Sequence, residues 1–94
     1  MRNNPSEPHV SQADHDSLRK LADAGNEKAL DRLADLADAR NDTGELNELL
    51  DEGSELAGQH LASRAIAARD LPELQRLADE GIETAERALE DLLQ

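Results

Sequence analysis

The sequence predicts an all-α fold: three αα-hairpin repeats of 28 residues, stacked as a short right-handed solenoid. Three observations lead there. Apolar residues recur in columns 28 positions apart: Leu18, Leu46 and Leu74; Leu21, Leu49 and Leu77; Ala29, Ala57 and Ala85; Leu33, Leu61 and Leu89. A fixed period of this size marks an array of supersecondary units, each too small to bury its apolar face alone. Gly25, Gly53 and Gly81 form a column between the two apolar clusters of each unit. It reads as a helix stop, because glycine takes the left-handed conformation without a Cβ clash. Asp14, Asp42 and Asp70 stand four residues ahead of the first leucine of each unit, where a helix N-cap belongs.

Residues 1–13 are polar, carry Pro5 and Pro8, and are expected to form a disordered tail. The folded part then divides into 14–41, 42–69 and 70–94, one repeat each. First helices run from the Asp column to the Gly column. Asp42 and Asp70 are followed three residues on by Glu45 and Glu73, the spacing of a capping box. Pro72 falls in a first turn, where its missing N–H does no harm. Leu18, Leu21 and Ala22 share one face, as do Leu46, Leu49 and Leu50, and Leu74, Leu77 and Ala78.

Asn26 and Ser54 follow their glycines and are placed to cap the second helices, whereas their counterpart Ile82 has no capping oxygen. Second helices are expected over 27–40, 55–69 and 83–93, with Arg40 and Arg69 in last turns that favour a cation. Ala29, Leu33, Leu36 and Ala37 form the seam of the first of them. Leu61, Ala62, Ala65, Ile66, Ala67 and Ala68 make the middle one apolar nearly all round, as suits a helix held between two neighbours. Gly58 inside it costs about 1 kcal/mol against Ala and points to a close approach of backbones.

Apolar residues make up 37% of the chain, and none is Phe, Tyr or Trp, so the core must rest on Leu and Ala. A domain this small is expected to be marginally stable. With no cysteine, disulfides, thiolate nucleophiles and Cys-ligated metals are excluded. A net charge of −12 opposes binding to nucleic acid or anionic membrane, and the lack of aromatics removes base stacking. The opening MRNNPSEPHVSQA has no apolar core of a signal peptide, and no apolar run reaches the ~18 residues that span a bilayer. The expected setting is the cytoplasm.

The chemical motifs are faint. Ser17 and Lys20 match S-x-x-K without its companion motifs, and the expected reading is a first-turn serine and a solvated lysine. His9, His15 and His60 lack the spacing of a zinc site and read as solvated. Asn41-Asp42-Thr43-Gly44 does not fit the twelve-residue frame of a calcium loop. All five glycines stand singly, so no phosphate cradle is formed. The chain is therefore expected to be non-enzymatic, with no catalytic residue, no metal and no cofactor.

LADAGNEKALDRLADLA resembles the Ala-rich helix–Gly–helix units of Sel1-like repeats, and DLPELQRLADEG resembles the lead-in of ankyrin-type helices. The likeness, which extends in style to tetratricopeptide repeats, covers residues 14–94. It departs from these families in lacking the ankyrin T-P-L-H turn and β-hairpin and the Sel1 and tetratricopeptide aromatics, and in a period shorter than that of the Sel1 and tetratricopeptide repeats. Such families are scaffolds for other proteins, so the resemblance implies a protein-binding module. It also implies that the first helices line a concave surface.

The acids are unevenly spread. Residues 41–63 hold Asp42, Glu45, Glu48, Asp51, Glu52 and Glu55 with no Lys or Arg. Asp23, Asp51 and Asp79 recur at the ends of first helices, where a carboxylate opposes the macrodipole. They either cap the neighbouring second helix or serve a partner. Glu27, Glu55 and Glu83 recur in first turns, where the dipole welcomes them. Glu27, Asp31, Asp35 and Asp38 line one helix face, read as a solvated stripe or as a surface for an Arg/Lys-rich partner.

The expected partner surface comprises Arg19, Asp23, Glu48, Asp51, Glu52, Arg76 and Asp79, and the expected partner is a protein or peptide of basic character. The alternative is an acidic inhibitor that imitates nucleic acid and blocks a DNA- or RNA-binding protein. Against it, the stripe offers one charge per ~6 Å of helix, sparser than a DNA strand at ~3.4 Å per phosphate. Leu89, Leu92 and Leu93 also suggest weak homodimerisation through the last helix.

Overall fold

A computed structural model describes residues 12–94 of the chain. Among these residues there are six α-helices and no strand: α1 Gln12–Asp23, α2 Glu27–Ala39, α3 Thr43–Asp51, α4 Glu55–Ala68, α5 Leu71–Asp79 and α6 Glu83–Leu92. The expected tail lies, except for residues 12 and 13, outside the described residues. Those two belong to α1, so Asp14 sits in its first turn and is not its N-cap.

The other caps follow the sequence. The N–H of Ala29 donates to Asn26 Oδ1 at 2.9 Å, that of Glu45 to Asp42 Oδ1 at 3.0 Å, and that of Glu73 to Asp70 Oδ1 at 3.1 Å. Ser54 Oγ accepts from Ala57 N–H at 3.1 Å, and Ile82 makes no side-chain cap. The glycine column has φ of 98°, 108° and 91°. At each of the three, the residue after the glycine donates back to a leucine carbonyl five residues earlier: Asn26 to Leu21, Ser54 to Leu49 and Ile82 to Leu77, each at 3.0 Å. This is the Schellman closure, which satisfies carbonyls that the helix end leaves orphaned.

The second helices α2 and α4 stop the same way. Asn41 and Arg69 take positive φ (59° and 52°), and Asp42 and Asp70 donate to the Ala37 and Ala65 carbonyls. Arg40 and Arg69 therefore stand just beyond their helices, not in the last turns.

α1 packs on α2, α3 on α4 and α5 on α6; α2 also packs on α3 and α4, and α4 on α5 and α6. The second helices thus touch one another directly. No Cα of α1 comes within 8 Å of α3, or of α3 within 8 Å of α5. The core runs through Leu33, Ala34, Ala37, Leu46, Leu49, Ala57, Leu61, Ala62, Leu74, Leu77 and Ala85, without a ring.

Three expectations change. Leu21 is exposed although Leu49 and Leu77 in its column are fully buried. α3 and α5 are each covered by a preceding second helix, and among the described residues α1 has none. The last turn of α4 is not enclosed: Ile66, Ala67 and Ala68 are exposed. Gly58 makes room for side chains and not for a backbone. A Cβ at this position would lie 2.5 Å from Ile82 Cδ1 and 3.2 Å from Leu50 Cδ1.

Candidate functional site

The acidic stripe of α2 keeps solvent contact, with the Asp35 side chain 48% exposed, but α4 supplies counterparts for three of its four acids. Ser54 Oγ donates to Asp31 Oδ1 at 3.1 Å while it caps α4. His60 Nε2 lies 2.9 Å from Asp35, and its Nδ1 lies 3.4 Å from Asp38. Arg64 Nε donates to Asp38 at 2.8 Å, and Arg64 Nη2 donates to the Asp38 carbonyl and to Asn41 Oδ1. Only Glu27 of the four stays outside this clasp, in a first turn that favours it. Sequence reasoning missed His60 and Arg64 as partners. Their i, i+4 spacing on α4 matches the close spacing of Asp35 and Asp38 on α2, which was the available signal.

First helices carry the expected partner surface, and its seven residues fall into three groups. Arg19, Glu52 and Arg76 bridge neighbouring first helices: Arg19 donates to Glu52, and Arg76 Nη2 donates to Asn47 Oδ1 at 2.7 Å. The carboxylate of Glu52 raises the pKa of Arg19 above its ordinary value. Arg76 also forks onto Glu73 at 2.9 and 2.7 Å, and this hydrogen bonding holds the Glu73 carboxyl below the usual range. His15, expected to be solvated, lies 3.4 Å from Glu45 across the same gap.

Asp23 and Asp79 are engaged within their own helices, accepting from Arg19 at 3.2 Å and from Gln75 at 3.0 Å. Neither caps a neighbouring helix, since Asn26 and Ser54 fill that role where it is filled. Glu48 and Asp51 are exposed and form no hydrogen bond or ion pair among the described residues. Asp51 acts on Arg76 only through space.

The first-helix row is the wider-spaced of the two layers. Its gaps are spanned by long side chains, so the row presents ridges with polar floors.

Other candidates are plain. Ser17 and Lys20 are both exposed on α1. Asp42 caps α3, while Thr43 and Gly44 belong to that helix. Among the described residues no group of three or more His, Asp or Glu side chains is arranged to hold a metal ion. An open groove of about 460 Å³ lies between the second and third helix pairs, lined by Gly53, Ser54, Glu55, Gln59, Ile82 and Thr84 among others. No helix among the described residues is long and apolar enough to cross a membrane. No protein-family model, curated protein or solved structure matches the chain, so its likeness to Sel1-like, ankyrin-type and tetratricopeptide units rests on the helix–Gly–helix pattern alone.

Proposed function

We propose that the chain is a non-catalytic helical-repeat module, or adaptor, that binds a basic protein or peptide along its first-helix row. In this reading the helix pairs stack as three repeats of a short right-handed solenoid, working in the cytoplasm. The observation that carries it is the contrast between two sets of acids. Those of α2 are engaged by α4. Glu48 and Asp51 stand exposed and unpaired, and Asp51 ends a helix whose dipole it opposes. Folding gains little from an acid there, only a screened attraction to Arg76, so a demand outside the fold accounts for it better.

The nucleic-acid mimic is the weaker alternative. The stripe that would have imitated a phosphate strand is the one engaged by Ser54, His60 and Arg64.

The test is a triple variant, Glu48→Gln, Asp51→Asn and Asp79→Asn. A partner captured from the source cell by the wild-type chain is identified and titrated against both proteins at low and moderate salt. Weaker, slower association by the variant, with an unchanged melting temperature, supports the reading, because charge complementarity acts mainly on encounter. Unchanged affinity would place the interface elsewhere.

A further inference from the structure

We propose that the chain self-associates head to tail, the α6 face of one copy stacking on the α1/α2 face of the next as a following repeat would. The inference rests on the stacked-repeat reading above and concerns the two open ends of the array, not the first-helix row.

Two columns bury their apolar side chains inside the array and expose them only at its ends. Leu21 is 49% exposed, whereas Leu49 and Leu77 are at 0%. Leu93 is 69% exposed, whereas Ala37 is at 0% and Ala65 at 4%. Leu21 marks the open side of the first helix pair, and Leu93 the open side of the last. Among the described residues, each lacks the neighbour that its column mates have.

Charge says what that neighbour is. At the junction of α2 and α4, Asp35 faces His60. Moving these columns outward by one repeat at each end gives Asp91 on α6 and Arg32 on α2. A second copy stacked in register would therefore set Asp91 against Arg32, where Asp35 meets His60 within the chain. Glu55 and Thr84 line one groove between the second and third helix pairs. Their outward counterparts are Glu83 and Lys28, again acid and base.

None of Arg32, Lys28, Asp91 or Glu83 has an ion-pair partner among the described residues, in contrast to Arg19, Arg40, Arg64 and Arg76. Opposite signs on opposite ends favour a heterologous contact, which continues as an open chain or closes into a ring. Glu86 and Glu90 replace the buried Gly58 and Ala62 of the preceding repeat. Such a polar outer face keeps the association weak.

Sedimentation equilibrium of the full chain over a concentration series tests this. The wild type is expected to gain mass with concentration. Asp91→Arg and Arg32→Asp are each expected to weaken that association about fivefold or more. Mixing the two variants is expected to restore it, because every junction then pairs opposite charges. A wild type that stays monomeric overturns the proposal. So does association that Arg32→Asp leaves intact while Leu93→Asp abolishes it, since that describes a symmetric contact between α6 helices. Thermal unfolding of Asp38→Arg, at an internal junction, separates this failure from failure of the stacked reading. A lowered midpoint keeps the stacking even if the wild type is monomeric, and an unchanged midpoint removes the basis of both.

Discussion

Between α2 and α4, Asp31, Asp35 and Asp38 meet Ser54, His60 and Arg64. Between α4 and α6 the same columns hold Gln59, Ser63 and Ile66 against Ile82, Ala88 and Leu92. The first junction is a ladder of hydrogen bonds and ion pairs at the edge of the core. The second has no such ladder among the described residues, and its buried contact is apolar, with Ile82 lying over Gly58. Partly exposed charge pairs contribute about 0.2–1 kcal/mol each, whereas burying one isoleucine contributes about 1.5–3 kcal/mol. A side-chain N-cap is worth about 1 kcal/mol. Ile82 thus gives up the cap that Asn26 and Ser54 provide and more than offsets it by burial. A single 28-residue frame accommodates both solutions because the glycine closure, not the side chains between helices, fixes the turn.

Leu61 lies on α4, the helix common to both junctions, and is almost fully buried. Leu61→Ala should loosen both together, lowering stability by about 2–5 kcal/mol in chemical denaturation. Ile82→Ser converts the apolar junction toward the polar one. It should lose about 1–2 kcal/mol, the burial lost outweighing the cap gained. Adding Gly58→Ala to that variant should recover up to about 0.5–1 kcal/mol, since the methyl no longer meets Ile82, the flexible end of Leu50 need give only slightly, and alanine favours helix. If Ile82→Ser alone is neutral, the junctions do not differ as described.

The ends of α2 and α4 differ as well. Asn41 tolerates the left-handed position, and Arg69 occupies it at the cost of an L residue with a full side chain. Arg69→Gly should raise stability by about 0.5–1 kcal/mol, read as a higher melting temperature.

The smallest effect concerns Glu73. Arg76 lowers its pKa, so the pair adds stability above the ordinary carboxylate value near 4.5 and loses it as pH falls through the lowered one. Glu73→Gln should flatten the acid limb of the stability curve by no more than about 0.5 kcal/mol, because solvent screens the pair.

Local chemistry was legible from the chain. The glycine closures and the caps Asn26, Asp42, Ser54 and Asp70 depend on residues within five positions of each other, and the structure has them where the sequence places them. Contacts between helices were less legible. The partners of Asp35 and Asp38 lie 22 to 26 residues away and break the repeat, since the columns of His60 and Arg64 hold Arg32 and Leu36 in the preceding unit. Periodicity therefore favoured a solvated stripe. Leu21 misled for a related reason: its column implies burial, but burial needs a neighbour that the pattern does not supply. Of the expected partner surface, the sequence distinguished helix-end acids from first-turn acids. It did not reveal that Arg19, Glu52 and Arg76 tie neighbouring first helices together.

The central claim is that the acids divide into a structural set on α2 and a free pair, Glu48 and Asp51, on α3. Thermal unfolding of two variants side by side tests it most directly. Asp35→Asn with Asp38→Asn should lower the midpoint by several degrees, as a loss of about 1 kcal/mol does in a domain of this size, and high salt should shrink the difference. Glu48→Gln with Asp51→Asn should leave the midpoint unchanged or raise it slightly by relieving repulsion. A stable α2 variant beside a destabilised first-helix variant would contradict the account.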